Sequence, residues 1–416
     1  CSSDLGGNFG TLWIVESQDD IDHVLRTGPT APYVAVLERN FFTRENLLTF
    51  RDQPSRISGV VFINEDSKSR VTPFSPEDTC PNRNSGLYVN HTQYRNCNRG
   101  AWIRESSISG LLYDDIPYPI FLINEEQSIK EIRHNFKTHN VITQPQQDDP
   151  NRPTKKIKAP YPLCGLQLDS FMMAAQDSNL CSNSHFFIDE LLQSDGRRCK
   201  LLDNPNIFAY YKTASGPLQP KPGTNHMQPK VVPPRSIVML IAKLSSLSMF
   251  NDISPGADST LTSIITLLTV AEALGRMKNS TAVEESKRNI AFALLNSEPF
   301  DYTGSSRMVY EMLDGSFPYG AIFEASNKTT DAMMNMNLTS IDYIINLDQM
   351  AIYPGADSIH FHSEPEDTNK DKLDRVFKKM ESVASSEKLK FQRVDAQKPL
   401  PPAPVGEFIK RSREQR

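Results

Sequence analysis

The sequence predicts an α/β protein with mostly parallel sheets, arranged as a smaller amino-terminal lobe (residues 1–205) and a larger lobe (206–416). Three observations carry that expectation. Short apolar and β-branched runs alternate with segments of helical period along most of the chain, which is how strand–helix–strand units read. The apolar runs have the character of strands buried on both faces. A proline-rich stretch, SGPLQPKPGTNHMQPKVVPP at 215–234, separates two such series.

In the first series TLWIVES, YVAVLER, ISGVVFIN and PIFLINEE read as strands and SIKEIRHNFKTH as a helix, ending near residue 160; a cysteine-bearing segment completes the lobe. In the second, SIVMLIAKL is a strand, 259–276 a helix, NIAFALLNSE a strand and 304–314 a helix. SIDYIINLDQMAIY is a further strand, and NKDKLDRVFKKMESVAS is an amphipathic helix before LKFQRV. In STLTSIITLLTVAEAL the residues Leu261, Ile264, Ile265, Leu268 and Ala271 keep helical spacing, and Glu272 interrupts the run. It is expected to be a core helix, since no apolar run reaches the roughly 20 residues a membrane helix needs.

Composition narrows the function. With 416 residues and 38% apolar content the chain can bury real cores. Its net charge of −5 leaves no basic stripe for nucleic acid. It opens at Cys1 without a starting Met and is read as a piece of a longer mature protein. Of the six cysteines none has paired zinc-knuckle spacing, and the close pairs Cys80–Cys97 and Cys181–Cys199 suit local disulfides. Glycosylation sequons stand at Asn90, Asn279, Asn327 and Asn337. Together these place the chain in a secreted or lumenal setting.

In parallel sheets chemistry gathers beyond the carboxyl ends of strands. Three stretches fall there: LIAKLSSLSMFNDISPGADST (240–260), AFALLNSEPFDYTGSSRM (291–308) and YIINLDQMA (343–351). Their order and spacing resemble the two-metal zinc aminopeptidases, so the larger lobe is expected to be aminopeptidase-like. Carried over, Asp258 matches the bridging Asp, Glu298 the general base and Asp348 a later Asp ligand. Lys243, however, stands at a ligand His, Ser245 at the Asp of that motif, and Pro299 at the second Glu. An ammonium where an imidazole belongs repels a dication. The resemblance therefore implies a peptidase frame that has lost its metals, with no catalytic residue and no cofactor.

The stretch SEPFDYTGSSRMVYEM is similar to the signature region of the nicastrin family. APYVAVLERNFFTRENL, SRISGVVF, FSPEDTCPN, GLLYDDIPYPIFLINEE, YPLCGLQLDSF, GSFPYGAIFEA and KPLPPAPVGEFIK resemble nicastrin segments in the same order. The resemblance implies a non-catalytic subunit of the γ-secretase intramembrane protease. It would be a single-pass type I membrane glycoprotein, its ectodomain lumenal or extracellular, with the membrane helix beyond Arg416. The partners implied are presenilin, a seven-span subunit and a small hairpin subunit. Implied substrates are type I membrane-protein stubs, screened by their short ectodomains. Glu298 and Tyr302, with Asp301, Gly304 and Ser305, match the substrate-facing pocket, and Trp102 matches an aromatic on a lid. Family members carry a cysteine in the helix at 128–139 where this chain has Asn135, which leaves Cys164 without its expected partner.

Plainer readings stand beside these. Asp258 after the Pro-Gly turn suits a helix N-cap, Glu298 suits a strand-end carboxylate capping its turn, and Asp348 suits an inherited, idle residue. Tyr302, between Asp301 and Gly304 in a turn beyond a strand end, is expected to face a pocket. The HFH at 360–362 is expected in a surface loop rather than as a metal pair. Two other classes remain as alternatives: an active zinc aminopeptidase, and a soluble receptor or adhesion glycoprotein.

Overall fold

The computed structural model describes residues 7–64, 80–82, 85–90, 111, 114–144, 155–158, 162–169, 204–211, 215–217, 219–220, 223, 227–228, 230–250, 252, 256–277, 286, 288–318, 322–324, 330–351, 358–364, 370–395 and 398–414. The chain divides into two compact units, one of Cys1–Asp78 with Glu105–Leu201 and one of Thr79–Arg104 with Leu202–Arg416.

In the first unit the strands β1 (Asn8–Val15), β2 (Tyr33–Glu38), β3 (Ile57–Ile63) and β4 (Ile120–Ile123) lie parallel. Helix α1 (Gln18–Asp22, continued by a π-helical turn His23–Thr27) follows β1, and α2 (Arg44–Arg51) follows β2. Thr43 caps α2 by accepting the Asn46 backbone N–H. After α3 (Glu126–His139) comes a hairpin of β5 (Val141–Gln144) and β6 (Lys155–Lys158). Then β7 (Gly165–Leu168) pairs antiparallel with β1, completing the order β4-β3-β2-β1-β7. All six residues of β2 but Glu38 are buried, which explains their unbroken apolar run. Trp13 meets the His23 ring at 4.2 Å and the Phe136 ring edge-on at 5.3 Å.

The second unit is built on the sheet order β11-β9-β10-β8, from β8 (Ile207–Tyr210), β9 (Ile237–Lys243), β10 (Asn289–Leu295) and β11 (Ile341–Leu347). β9 runs parallel to both neighbours, and β8 joins β10 antiparallel. The pleat sorts side chains between two cores. Ile237, Met239 and Ile241 with Ala291, Ala293 and Leu295 pack on Met308, Val309 and Met312 of α5 (Thr303–Asp314) and on Phe408 of α7 (Val405–Glu414). Leu240 and Ala242 with Phe292 and Leu294 pack on Leu267 and Ile264 of α4 (Thr262–Arg276). Between them in sequence, β12 (Ser358–Phe361), α6 (Lys370–Ser386) and β13 (Lys390–Arg393) form a parallel pair with its crossover helix.

Two expectations change here. The helix 259–276 is a core helix on one face only: Leu261, Ile265 and Leu268 are 51%, 54% and 54% exposed. Ala257–Arg276 is long and apolar enough to cross a membrane by length and composition, although Leu267, Ile264, Val270 and Leu274 seat it on the sheet. Residues 358–361 of the HFH region are strand, not loop, because they pair with Lys390–Arg393; His360 is exposed on it.

Candidate functional site

The parallel register gathers the site. Ala242 pairs with Leu347 and Lys243 with Leu295, so the residues just beyond those ends meet above the sheet. Lys243 and Asp348 form an ion pair, Nζ to Oδ1 at 3.2 Å, with side chains 19% and 25% exposed. Burial raises the Asp348 carboxyl above its ordinary range, the Lys243 ammonium pulls it back, and the nearby Asp258 carboxylate adds to the rise.

Asp258 is not the helix N-cap. Gly256, at φ +68°, holds the capping position of the π-helical turn Ala257–Leu261 that leads into α4, and no side chain caps it. Asp258 lies one residue into that turn, and its Oδ1 is buried without a hydrogen-bond partner. Gly256 decides this, since glycine takes the left-handed conformation there without strain.

Glu298 is 1% exposed. Its Oε1 accepts the Ser305 backbone N–H at 2.6 Å, and its Oε2 lies 2.9 Å from the Ser305 hydroxyl. That same hydroxyl is 3.2 Å from the Tyr302 carbonyl. The one Ser305 hydroxyl proton has two acceptors within reach: it goes to Oε2 when Glu298 is ionised, and it is free for the Tyr302 carbonyl when Glu298 is protonated and donates to Ser305 Oγ. Burial pushes the Glu298 carboxyl from 4.5 up to about 7, against the pull of the two Ser305 bonds and of Lys243.

The turn is held in unusual backbone. Ser297, Asp301 and Tyr302 all have positive φ, at 59°, 54° and 56°, a conformation non-glycine residues adopt only when their surroundings enforce it. Hydrogen bonds from distant residues enforce it. Ser245 Oγ accepts the Ser297 N–H at 2.9 Å. Asn82 donates from Nδ2 to the Glu298 carbonyl at 3.0 Å and accepts the Asp301 N–H at 3.1 Å. Ser85 donates to Asp301 Oδ1 at 2.7 Å. Asn206 accepts the Asn296 N–H at 2.9 Å and donates to the Gly304 carbonyl at 2.8 Å. Neither Asn82, Ser85 nor Asn206 carried any signal in the sequence; each lies far from 296–305 along the chain and reaches the turn through tertiary structure.

The sequence-predicted residues are thus brought together, but in different roles. Tyr302 is 5% exposed and lines a small cavity together with Gly86 and the 400–406 segment. Gly304 and Ser305 are buried, while Asp301 is exposed and Phe300 is 46% exposed. Cys80 is buried and disulfide-bonded, Cys164 is free, Asn90 is exposed and Asn337 half-buried. Cys97, Cys181, Cys199, Trp102, Asn279 and Asn327 lie outside the described residues.

These residues do not fit a pair of metal ions. A dication beside Asp348 would face the Lys243 ammonium already paired with it, Pro299 offers no ligand atom, Ser245 is spent on the backbone and Glu298 on Ser305. Among the described residues no group of three or more His, Cys, Asp or Glu is placed to hold a metal. Lys243→Met is expected to cost about 1–2 kcal/mol, between a surface and a buried pair, because it leaves Asp348 and Asp258 without a cation. Chemical denaturation checks this, and an unchanged midpoint would remove the lysine's structural role.

Fold and site together define a two-unit α/β protein with mostly parallel sheets, whose strand-end carboxylates lie around a lysine. Among solved structures, the crystal structure of the gamma-secretase component Nicastrin superposes over 99% of this chain and 62% of its own, with TM-score 0.67 and 22% identity. A zinc aminopeptidase from Bacillus subtilis aligns more loosely, at TM-score 0.40 and 14% identity over 99% of this chain and 65% of its own. The family models for the nicastrin small lobe and large lobe match residues 1–174 and 236–415. Nicastrin of Rattus norvegicus is 29% identical over 99% of the chain, which spans about half (52%) of that protein. The chain belongs to the nicastrin family.

Proposed function

We propose that this chain is the greater part of the ectodomain of a non-catalytic γ-secretase subunit, supporting assembly and screening type I membrane-protein stubs by the size of their ectodomains. A large ectodomain would clash with the folded units, while a short one would not, so discrimination comes from exclusion. The implied assembly holds presenilin, a seven-span subunit and a small hairpin subunit, with this protein anchored by a single membrane helix and facing the lumen or cell exterior. Its lobes divide near residue 205, Cys80–Cys97 and Cys181–Cys199 form local disulfides, and glycans decorate the surface.

The observation that carries the non-enzymatic part is the Lys243–Asp348 ion pair at 3.2 Å across the strand ends. It puts a fixed positive charge where a two-metal peptidase needs its ions. The turn then serves as a surface. Glu298, Tyr302, Gly304 and Ser305 hold it from beneath, and Phe300, Asp301 and Thr303 are presented outward.

Mass spectrometry of what co-purifies with the full-length protein, extracted from its own membranes in mild detergent, tests the assignment. Presenilin and the two smaller subunits are expected. Recovery of the protein alone, or release of amino-terminal residues from peptides by the purified protein in a zinc-dependent manner, would overturn it. Within the complex, Phe300→Ala is expected to change stub cleavage several-fold while leaving unfolding unchanged, since its side chain is 46% exposed.

A further inference from the structure

The segment 80–88 grips the strained turn without regular structure of its own. Its described residues form only bends and turns. Asn82, itself left-handed at φ 49°, donates from Nδ2 to the Glu298 carbonyl and accepts the Asp301 N–H, and Ser85 donates to Asp301 Oδ1. Further along, Tyr88 is 7% exposed, and its hydroxyl accepts the Leu400 N–H at 3.2 Å. At the other end Cys80 is 4% exposed and disulfide-bonded. An irregular segment keeps one arrangement only where something offsets its chain entropy, and a cross-link does so by restricting the alternatives.

We propose that the Cys80 disulfide is a redox latch on the turn: intact, it holds Asn82 and Ser85 in place, and reduced, it lets them go. The reductant is a protein dithiol. One of its thiolates attacks the bridge, and its second thiol resolves the mixed disulfide so formed. The S–S bond of this chain breaks as that of the dithiol forms, and two electrons and two protons pass to the cysteine sulfurs of this chain. Ser297, Asp301 and Tyr302 hold positive φ only under restraint. Loss of the Asn82 and Ser85 bonds therefore frees Asp301 and Tyr302 to leave that region, while Ser297 stays bonded to Ser245. That the latch governs stub handling rests on the function proposed above; that it governs the turn rests on these bonds alone.

Full-length protein in its membrane complex is treated with graded dithiothreitol, its thiols are alkylated and mapped by mass spectrometry, and backbone hydrogen exchange is followed in the same samples. Each change is thereby tied to the cysteine reduced. As the Cys80 thiol appears, exchange at the Phe300, Asp301 and Tyr302 amides is expected to rise at least about ten-fold, with the β9 and β10 amides unchanged, and reoxidation should restore it. Stub cleavage should shift several-fold with it. Asn82→Ala should show the fast exchange before any reduction, and Cys80→Ser should match the reduced parent; where that variant fails to fold, the reduced parent answers alone. A Cys80 thiol with exchange at the turn unmoved would overturn the latch. So would reduction that comes only as exchange rises throughout β9 and β10, the mark of a purely structural bridge. Faster exchange at the turn with cleavage unchanged would overturn stub handling by the turn and leave the latch standing.

Discussion

Gly304→Ala is expected to destabilise the second unit by about 3 kcal/mol or more, even though alanine is the better helix residue by about 1 kcal/mol. Gly304 lies in the first turn of α5, so propensity alone predicts a gain. A Cβ there would sit 2.0 Å from the Asn296 carbonyl oxygen, 2.7 Å from Asn206 Oδ1 and 2.9 Å from Glu298 Oε1. The nearest of these is backbone at the end of β10 and cannot rotate away. The strand end must then part from the helix start, breaking the Asn206 clamp and the Ser305–Glu298 bonds together. For a unit of this size the fall in Tm is about 6–12 °C, readable by calorimetry. A neutral or raised Tm would mean that the helix start is not held against the strand end as described.

Glu298→Gln is expected to raise stability above neutral pH by about 3 kcal/mol and to flatten its pH dependence. A carboxyl whose folded pKa is raised from 4.5 to about 7 holds a proton in the folded state that the unfolded chain has released. Its favourable contribution is therefore complete below about pH 4.5 and is lost as pH rises through 7, where the buried group must ionise. Each pH unit of that interval is worth about 1.4 kcal/mol. Glutamine reproduces the neutral network: Oε1 accepts the Ser305 N–H, Nε2 donates to Ser305 Oγ, and that hydroxyl donates to the Tyr302 carbonyl. Thermal unfolding of parent and variant from pH 4 to 8 should give curves that coincide near pH 4 and separate toward pH 8, with the variant higher. Parallel curves would mean that Glu298 is ionised throughout and that Lys243, rather than its own proton, neutralises it.

Much of this molecule was legible in its residues. The strand and helix segments fall where apolar runs and helical spacing put them, because burial of a strand on both faces demands an unbroken apolar run. Asp258, Glu298 and Asp348 were visible as strand-end carboxylates, and Lys243, Ser245 and Pro299 as substitutions a dication would not accept. Misplaced readings share one cause. The 261–268 stretch looked more fully buried than it is, because burial is a property of what arrives from elsewhere in the chain. Asp258 looked like a cap until the left-handed Gly256 took that position.

What the sequence determined by itself is local and chemical: which segments are strands and helices, which end carries a carboxylate, and which charge replaced which ligand. Only the tertiary structure decided what those groups do. The parallel register sets Lys243 against Asp348, and Asn82 and Asn206 come from 216 and 90 residues away in sequence to hold the turn around Glu298. Burial then pushes that carboxyl's pKa upward. None of these is encoded in spacing along the chain, because distance in sequence does not measure distance across a folded sheet.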